Sequence, residues 1–376
     1  MIPISRPSIR RKDMDAVLTC MVTDSLGPGS AADTLAKEVG AYLKLAGGVA
    51  LRERTRALDL ALRRLALEPG ATVLLDPLVP HSYHATLLSA GLVPEYVDVS
   101  PWGPVIDASA VEAAAEAAAE RASAVIASTH LGFVPELERI AATGLTVIED
   151  ISQGVGAHTG TQSVGGVGRF VILALEPAGI VTAGGGTLLL TNIKKERSAL
   201  VSETDALAPE TLLPDLNAAL GVTQIKEVEK FVTRRAEIAA VYQRALARGK
   251  HRAPTQAGDA ESVFYTFPVM IEGSTADVIS YAKSKLVECR PAFSGTVLDQ
   301  YGLAPGSEQA AEEVPAEMEE SEQTYATEGY QGSQLLNTAD FPEARKAMLR
   351  CVAFPLYPSL TSKEVAAVER VIITLP

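Results

Sequence analysis

Short apolar runs alternate with helical periodicity through the first half of the chain. ATVLLD (71–76), VPEYVDV (93–99), SAVIAST (123–129) and LTVIED (145–150) have the length and continuity of buried strands. Between them, DASAVEAAAEAAAERA (107–122) has helical spacing. The alternation predicts βα units, a largely parallel sheet and helices on both of its faces. Ligands of such sheets bind beyond the carboxyl ends of the strands, which marks Thr129-His130 and Glu149-Asp150. Phe170 to Thr191 carries one charge, Glu176, and is long enough to cross a bilayer. Pro177, Gly179 and the run Gly184-Gly185-Gly186 interrupt it, so the pattern predicts two buried strands, FVILAL and TLLLT, joined by a turn.

The second half changes character. Asn217 to Leu246 reads as one long amphipathic helix or two in tandem, and the polar RGKHRAPTQAGD (248–259) marks a boundary. The expected division is a large domain over 1–248 and a smaller one over 249–376. In the latter, FYTFPVMI (264–271) reads as a strand, with helices at 276–287 and 362–375. No basic residue lies between Arg290 and Arg345, and glutamates crowd 308–328, so a solvated acidic loop is expected at about 305–335.

Composition narrows the function classes. With 376 residues the chain can bury a large core. A net charge of −13 argues against nucleic acid and anionic membrane surfaces as partners. Cys20, Cys289 and Cys351 are an odd, widely spaced set, which suits a cytoplasmic location and offers no metal-ligand pattern. The opening MIPISRPSIRRKDM has no apolar stretch after its basic residues and does not read as a secretory signal.

Val147–Asn192 adds chemistry to this frame. Asp150 ends a strand, Gln153 follows three residues on, and GAxxGxxxVG occupies 156–165. An aspartate at a strand end is by itself as readily a turn or helix cap. The Asp-x-x-Gln spacing and the glycines that follow favour a cofactor cradle instead. Five further segments fall in order: IPISRP (2–7), SLGPG (25–29), THLGFVPELERI (129–140), PDLNAALGVTQIKEVEKF (214–231) and FPLYPSLTSKEV (354–365). Together they resemble the DegT/StrS-type sugar aminotransferases, a fold-type-I family dependent on pyridoxal phosphate (PLP) that includes 3-amino-5-hydroxybenzoate synthases. The resemblance implies an α/β protein whose large domain has a mainly parallel sheet sandwiched by helices, beside a smaller C-terminal α+β domain. It also implies sugar biosynthesis, and a dimer with sites shared across the interface.

Carried onto this chain, the resemblance makes Asp150 the partner of the pyridinium nitrogen and Gln153 the contact of the ring hydroxyl. The family's Ser-Gly-Thr phosphate loop becomes Glu53-Arg54-Thr55, so Thr55 alone is kept and Arg54 is new. The Schiff-base lysine falls on Gly179, or on Ala178 with a one-residue slip, and the phosphate-binding serine on Ala174. The stacking aromatic falls near Pro80 or His81, and the partner subunit's asparagine and arginine near Glu210 and Leu212. No lysine occurs between Lys44 and Lys194. A PLP transaminase uses that amine both to hold its cofactor and to move protons.

Other residues compete for a role. Arg52, Arg54 and Arg56 are either a solvated helix face or an anion site at a helix N-terminus. His130 is either a buried, hydrogen-bonded histidine or a catalytic group facing the site, and His81 and His84 could serve acid–base chemistry or only a loop. Three readings follow, and whether the chain is an enzyme stays open among them. The first is a pseudo-enzyme kept for binding or assembly, as a homodimer or paired with an active paralogue. The second is a lysine-independent enzyme holding PLP, its pyridoxamine form (PMP) or another small anion noncovalently. The third, least favoured, is an ordinary transaminase whose lysine arrives from Lys194 or Lys195, beyond the second strand.

Overall fold

The computed structural model describes residues 1–118, 122–160, 162–256, 258, 260–303 and 336–376, and the acidic loop expected at about 305–335 lies outside them. Strand β1 (Gly47–Leu51) precedes β2 (Thr72–Leu75), β3 (Val93–Tyr96), β4 (Ala122–Ser128) and β5 (Thr146–Asp150). Two-residue strands β6 (His158–Thr159) and β7 (Gln162–Ser163) follow, then β8 (Phe170–Ala174) and β9 (Thr187–Thr191). Seven of these form one sheet in the order β1-β9-β8-β5-β4-β2-β3. Only β9 runs against its neighbours, because the glycine-rich turn returns it directly beside β8. Every other pair is parallel, as the alternating pattern predicts.

Both faces of the sheet are covered, and the side chains alternate between them with the period of two that strands impose. Val125, Val147, Val171 and Leu173 enter one hydrophobic cluster; Ile126, Ile148, Phe170 and Ile172 enter the other. The edge strand β3 differs. It carries Pro94 and alternates exposed with half-buried residues, which suits an edge whose free backbone must not recruit another strand.

The run 217–246 resolves into two helices, Asp215–Ile225 and Val228–Leu246. Asp215 Oδ1 accepts the N–H groups of both Ala31 and Ala32 at 3.0 Å, capping the helix Ser30–Tyr42 from outside. A Cβ at Gly29 would stand 2.7 Å from Asp215 Oδ2, so the SLGPG and PDLNAALG segments are two halves of one contact.

A second layer forms from β10 (Ala260–Glu261), which pairs with β6, and from β11 (Phe267–Met270), β12 (Arg290–Pro291), β13 (Gly302–Leu303), β14 (Leu336–Asn337) and β15 (Cys351–Phe354). The sheet β11-β15-β12 packs with the helix Ser362–Ile373 around its own core. Ile238, Tyr242 and Leu246 belong to that core, and Ile2 pairs with Val287. A cut of the chain at residue 248 therefore leaves parts of the C-terminal core on its N-terminal side.

Candidate active site

Strands β2, β4 and β5 end side by side, which brings Asp76, Ser128 to His130, and Asp150 to Gln153 to one edge of the sheet. Ser128 lies opposite Asp150 in register, and the Thr129 N–H and Oγ1 both donate to the Asp150 carbonyl, at 2.8 and 3.0 Å. Over these ends opens a cavity of about 270 Å³, closed from the other side by Tyr265, Arg290 and Phe293 of the second layer.

Asp150 is 4% exposed and its carboxylate is already engaged. Oδ2 accepts the hydroxyl of Tyr83 at 2.7 Å, and Oδ1 accepts the Ser152 N–H at 2.9 Å and its Oγ–H. Burial, and then the charge of Asp150, push the Tyr83 hydroxyl well above its ordinary pKa, so it stays a donor. Arg54, first residue of the helix Arg54–Leu65, reaches across to Glu176 at 2.6 Å. Burial works against its charge, but Asp150 and then Tyr83 and Glu176 outweigh it and hold the guanidinium above its ordinary pKa. Arg54 Nε and Ser128 Oγ are buried without a hydrogen-bond partner.

Gln153 lines the cavity and uses its Oε1 to hold the Leu131 N–H at 2.7 Å. Leu131 has φ +56°, a left-handed conformation that costs a leucine energy unless neighbours fix it. His130 is buried, and its Nε2 lies 2.9 and 3.2 Å from the two oxygens of the fully buried Asp76. A carboxylate only accepts, so Nε2 carries the proton. Among the described residues Nδ1 has no hydrogen-bond partner.

Of the sequence-derived candidates, the cavity gathers Arg54, His130, Asp150 and Gln153, whereas Thr55, Ala174, His81 and Gly179 do not line it. Ala174 is buried beneath, its N–H donating to Ser152 Oγ at 2.9 Å. His81 Nδ1 faces the Gly295 carbonyl at 3.0 Å, and Arg56 pairs with Asp59 at 2.7 Å. At Gly179 an added Cβ would stand 2.5 Å from the Val181 carbonyl oxygen; Ala178 is the neighbour that lines the cavity. Lys194 and Lys195 are exposed at the start of a helix after β9. The residues that pattern alone misses are Asp76, Tyr83, Ser152 and Glu176. Asp76 had a signal, since it ends ATVLLD as Asp150 ends LTVIED.

A seven-stranded sheet with this order, a second layer closing over its strand ends and a buried aspartate beneath the cavity define an α/β protein of the PLP-dependent aminotransferase fold. The chain belongs to the DegT/DnrJ/EryC1/StrS aminotransferase family, whose model matches residues 7–328. It is similar to the spore coat polysaccharide biosynthesis protein SpsC of Bacillus subtilis (strain 168), at 24% identity covering 97% of this chain and 94% of that one. Among solved structures it resembles the aminotransferase TlmJ from Streptoalloteichus hindustanus, with TM-score 0.79 and 20% identity over 99% and 98% of the two chains. It also resembles a sugar aminotransferase from Micromonospora echinospora, with TM-score 0.77 and 19% identity over the whole of both chains.

The cavity does not fit a lysine-linked PLP. Among the described residues no lysine lines it, and Glu176 pairs with Arg54 of the loop that the resemblance assigns to phosphate. Among the described residues no group of His, Cys, Asp and Glu could hold a metal ion, and no helix is long and apolar enough to cross a membrane.

Proposed function

We propose that this chain keeps the family fold for binding or assembly in the cytoplasm and has lost lysine-dependent transamination. The observation that carries the reading is a strand-end cavity that no lysine lines among the described residues. The turn at Gly179 supports it, since a side chain there meets backbone. So does the Arg54–Glu176 ion pair, which spans the corner assigned to phosphate and sets a carboxylate against any anion placed there. The test is to incubate the protein with PLP, desalt it and record its absorbance with and without borohydride. No trapped adduct is expected; a lysine adduct would refute the reading.

A partner-subunit role has its own support. On the helix Arg11–Val22, Met14, Leu18, Met21 and Val22 are more than half exposed at helical spacing, while Asp13 and Cys20 are buried on the other side. The proposed occupant of this stripe is a second copy of the chain. The wild type is expected to sediment as a dimer and a Leu18→Glu, Met21→Glu variant as a monomer; a wild-type monomer would exclude the role.

One observation favours a second reading, a lysine-independent enzyme. Asp76 fixes the His130 tautomer, leaving Nδ1 as the basic nitrogen, the arrangement of an oriented general base. Arg54 Nε and Ser128 Oγ are buried polar groups that a small ligand would satisfy. PLP or PMP retained through desalting yet untouched by borohydride trapping would move the conclusion to this reading.

A further inference from the structure

A second groove, of about 430 Å³, lies between the loop 99–104 and residues of the C-terminal layer, and no residue lines both it and the strand-end cavity. Trp102, the only tryptophan in the chain, is among its lining residues and is 66% exposed. The loop that presents it is pinned. The Thr255 N–H and Oγ1 both donate to the Trp102 carbonyl, at 2.8 and 3.2 Å. A Cβ at Gly103 would stand 2.7 Å from the Thr255 carbonyl oxygen, so glycine alone allows the two segments to lie this close. The ring is thus held in water by backbone contacts on the C-terminal layer.

Arg252 and Arg350 line the same groove and make no ion pair or side-chain hydrogen bond among the described residues, whereas Lys346 is paired with Glu343 at 2.9 Å. Both guanidinium groups are exposed, and of the two carboxylates that also line the groove, Glu272 and Glu343, the second is held by Lys346. Met270, Ala347 and Cys351 add an apolar lining. An exposed indole offers a stacking face, and guanidinium groups pair with phosphate oxygens by charge-assisted hydrogen bonds.

We propose that this groove binds a small nucleotide-like anion, its planar ring on Trp102 and its phosphate on Arg252 and Arg350. Stacking accepts any base, so affinity comes from ring and charge together and not from base edges. Because the chain has one tryptophan, its emission reports this groove directly. The full chain is titrated with ADP, GDP and UDP, with pyrophosphate and adenosine as half-ligands. Saturable quenching by at least one diphosphate is expected, with each half-ligand and an Arg252→Ser, Arg350→Ser variant weaker by roughly tenfold or more. Circular dichroism checks that the variant is folded, and calorimetry with Trp102→Phe and Trp102→Ala separates a stacking ring (kept in the first, lost in the second) from general fluorescence effects. No saturable change with any diphosphate, or equal binding by the double variant, overturns the proposal. The outcome is independent of whether PLP binds, since the two sites share no residue.

Discussion

At residue 179 the obstacle to a lysine is the backbone carbonyl of Val181, 2.5 Å from any Cβ, and a carbonyl cannot rotate away as a side chain can. A Gly179→Lys variant must shift the turn, at a cost of about 1–3 kcal/mol for overpacking. We predict a lowered melting temperature and no borohydride-trapped PLP on that lysine by mass spectrometry. His84 gives a second residue-scale prediction. It is buried, with Nδ1 at 2.7 Å from the Tyr96 hydroxyl and Nε2 unpartnered, and burial lowers its pKa below the ordinary 6.5. The unfolded chain therefore takes up this proton first as pH falls. The stability that neutral His84 allows is present above pH 6.5 and lost as pH drops toward the folded value. Melting temperature is expected to fall less steeply below pH 6.5 in His84→Phe than in the wild type. Asp150 and Gln153 are legible in sequence because they sit on a strand end and its turn. Tyr83 is not, since its bond to Asp150 depends on how the helix His81–Ser89 returns over the sheet.

Elements were readable where burial makes them uniform. Strands β4, β5, β8 and β9 are buried along almost their whole length and show as apolar runs. Strand β1, GGVAL, escapes the same rule because two of its five residues are glycine. The break at Lys226-Glu227 within the long helical run carries neither glycine nor proline, so periodicity alone leaves one helix and two equally open. Between β5 and β8 a single side chain organises the connection. Glu149, 1% exposed, accepts the N–H groups of Gly165, Val167 and Gly168 at 2.6, 2.8 and 2.5 Å. An amide cannot accept at both ends, so Glu149→Gln leaves at least one N–H facing a donor. A loss of about 2–3 kcal/mol is expected, read as a shifted urea midpoint. An unchanged midpoint would mean that the clasp does not hold the loop.

Across the whole molecule, Arg235 ties the layers together. It is 3% exposed, and its Nη1 donates to the carbonyls of Phe264, Tyr265 and Leu356 at 2.9, 2.8 and 2.8 Å. No carboxylate pairs with it among the described residues, and burial lowers its pKa to about 10. Arg235→Met leaves three carbonyls unpaired, and a cost of about 3 kcal/mol is expected from thermal unfolding. None of this was legible beforehand, because a lone arginine on an amphipathic helix looks like any solvated one. The first residues form the other tie. The Ile2 N–H donates to the Leu286 carbonyl, the Glu288 N–H donates back to the Ile2 carbonyl, and the Ile4 N–H donates to a Glu288 carboxylate oxygen. During synthesis the chain's opening residues consequently have no seat until position 288 has left the ribosome, roughly 15–60 s at common elongation rates. The sheet can assemble in that interval, but its N-terminal strap must wait for the layer made last.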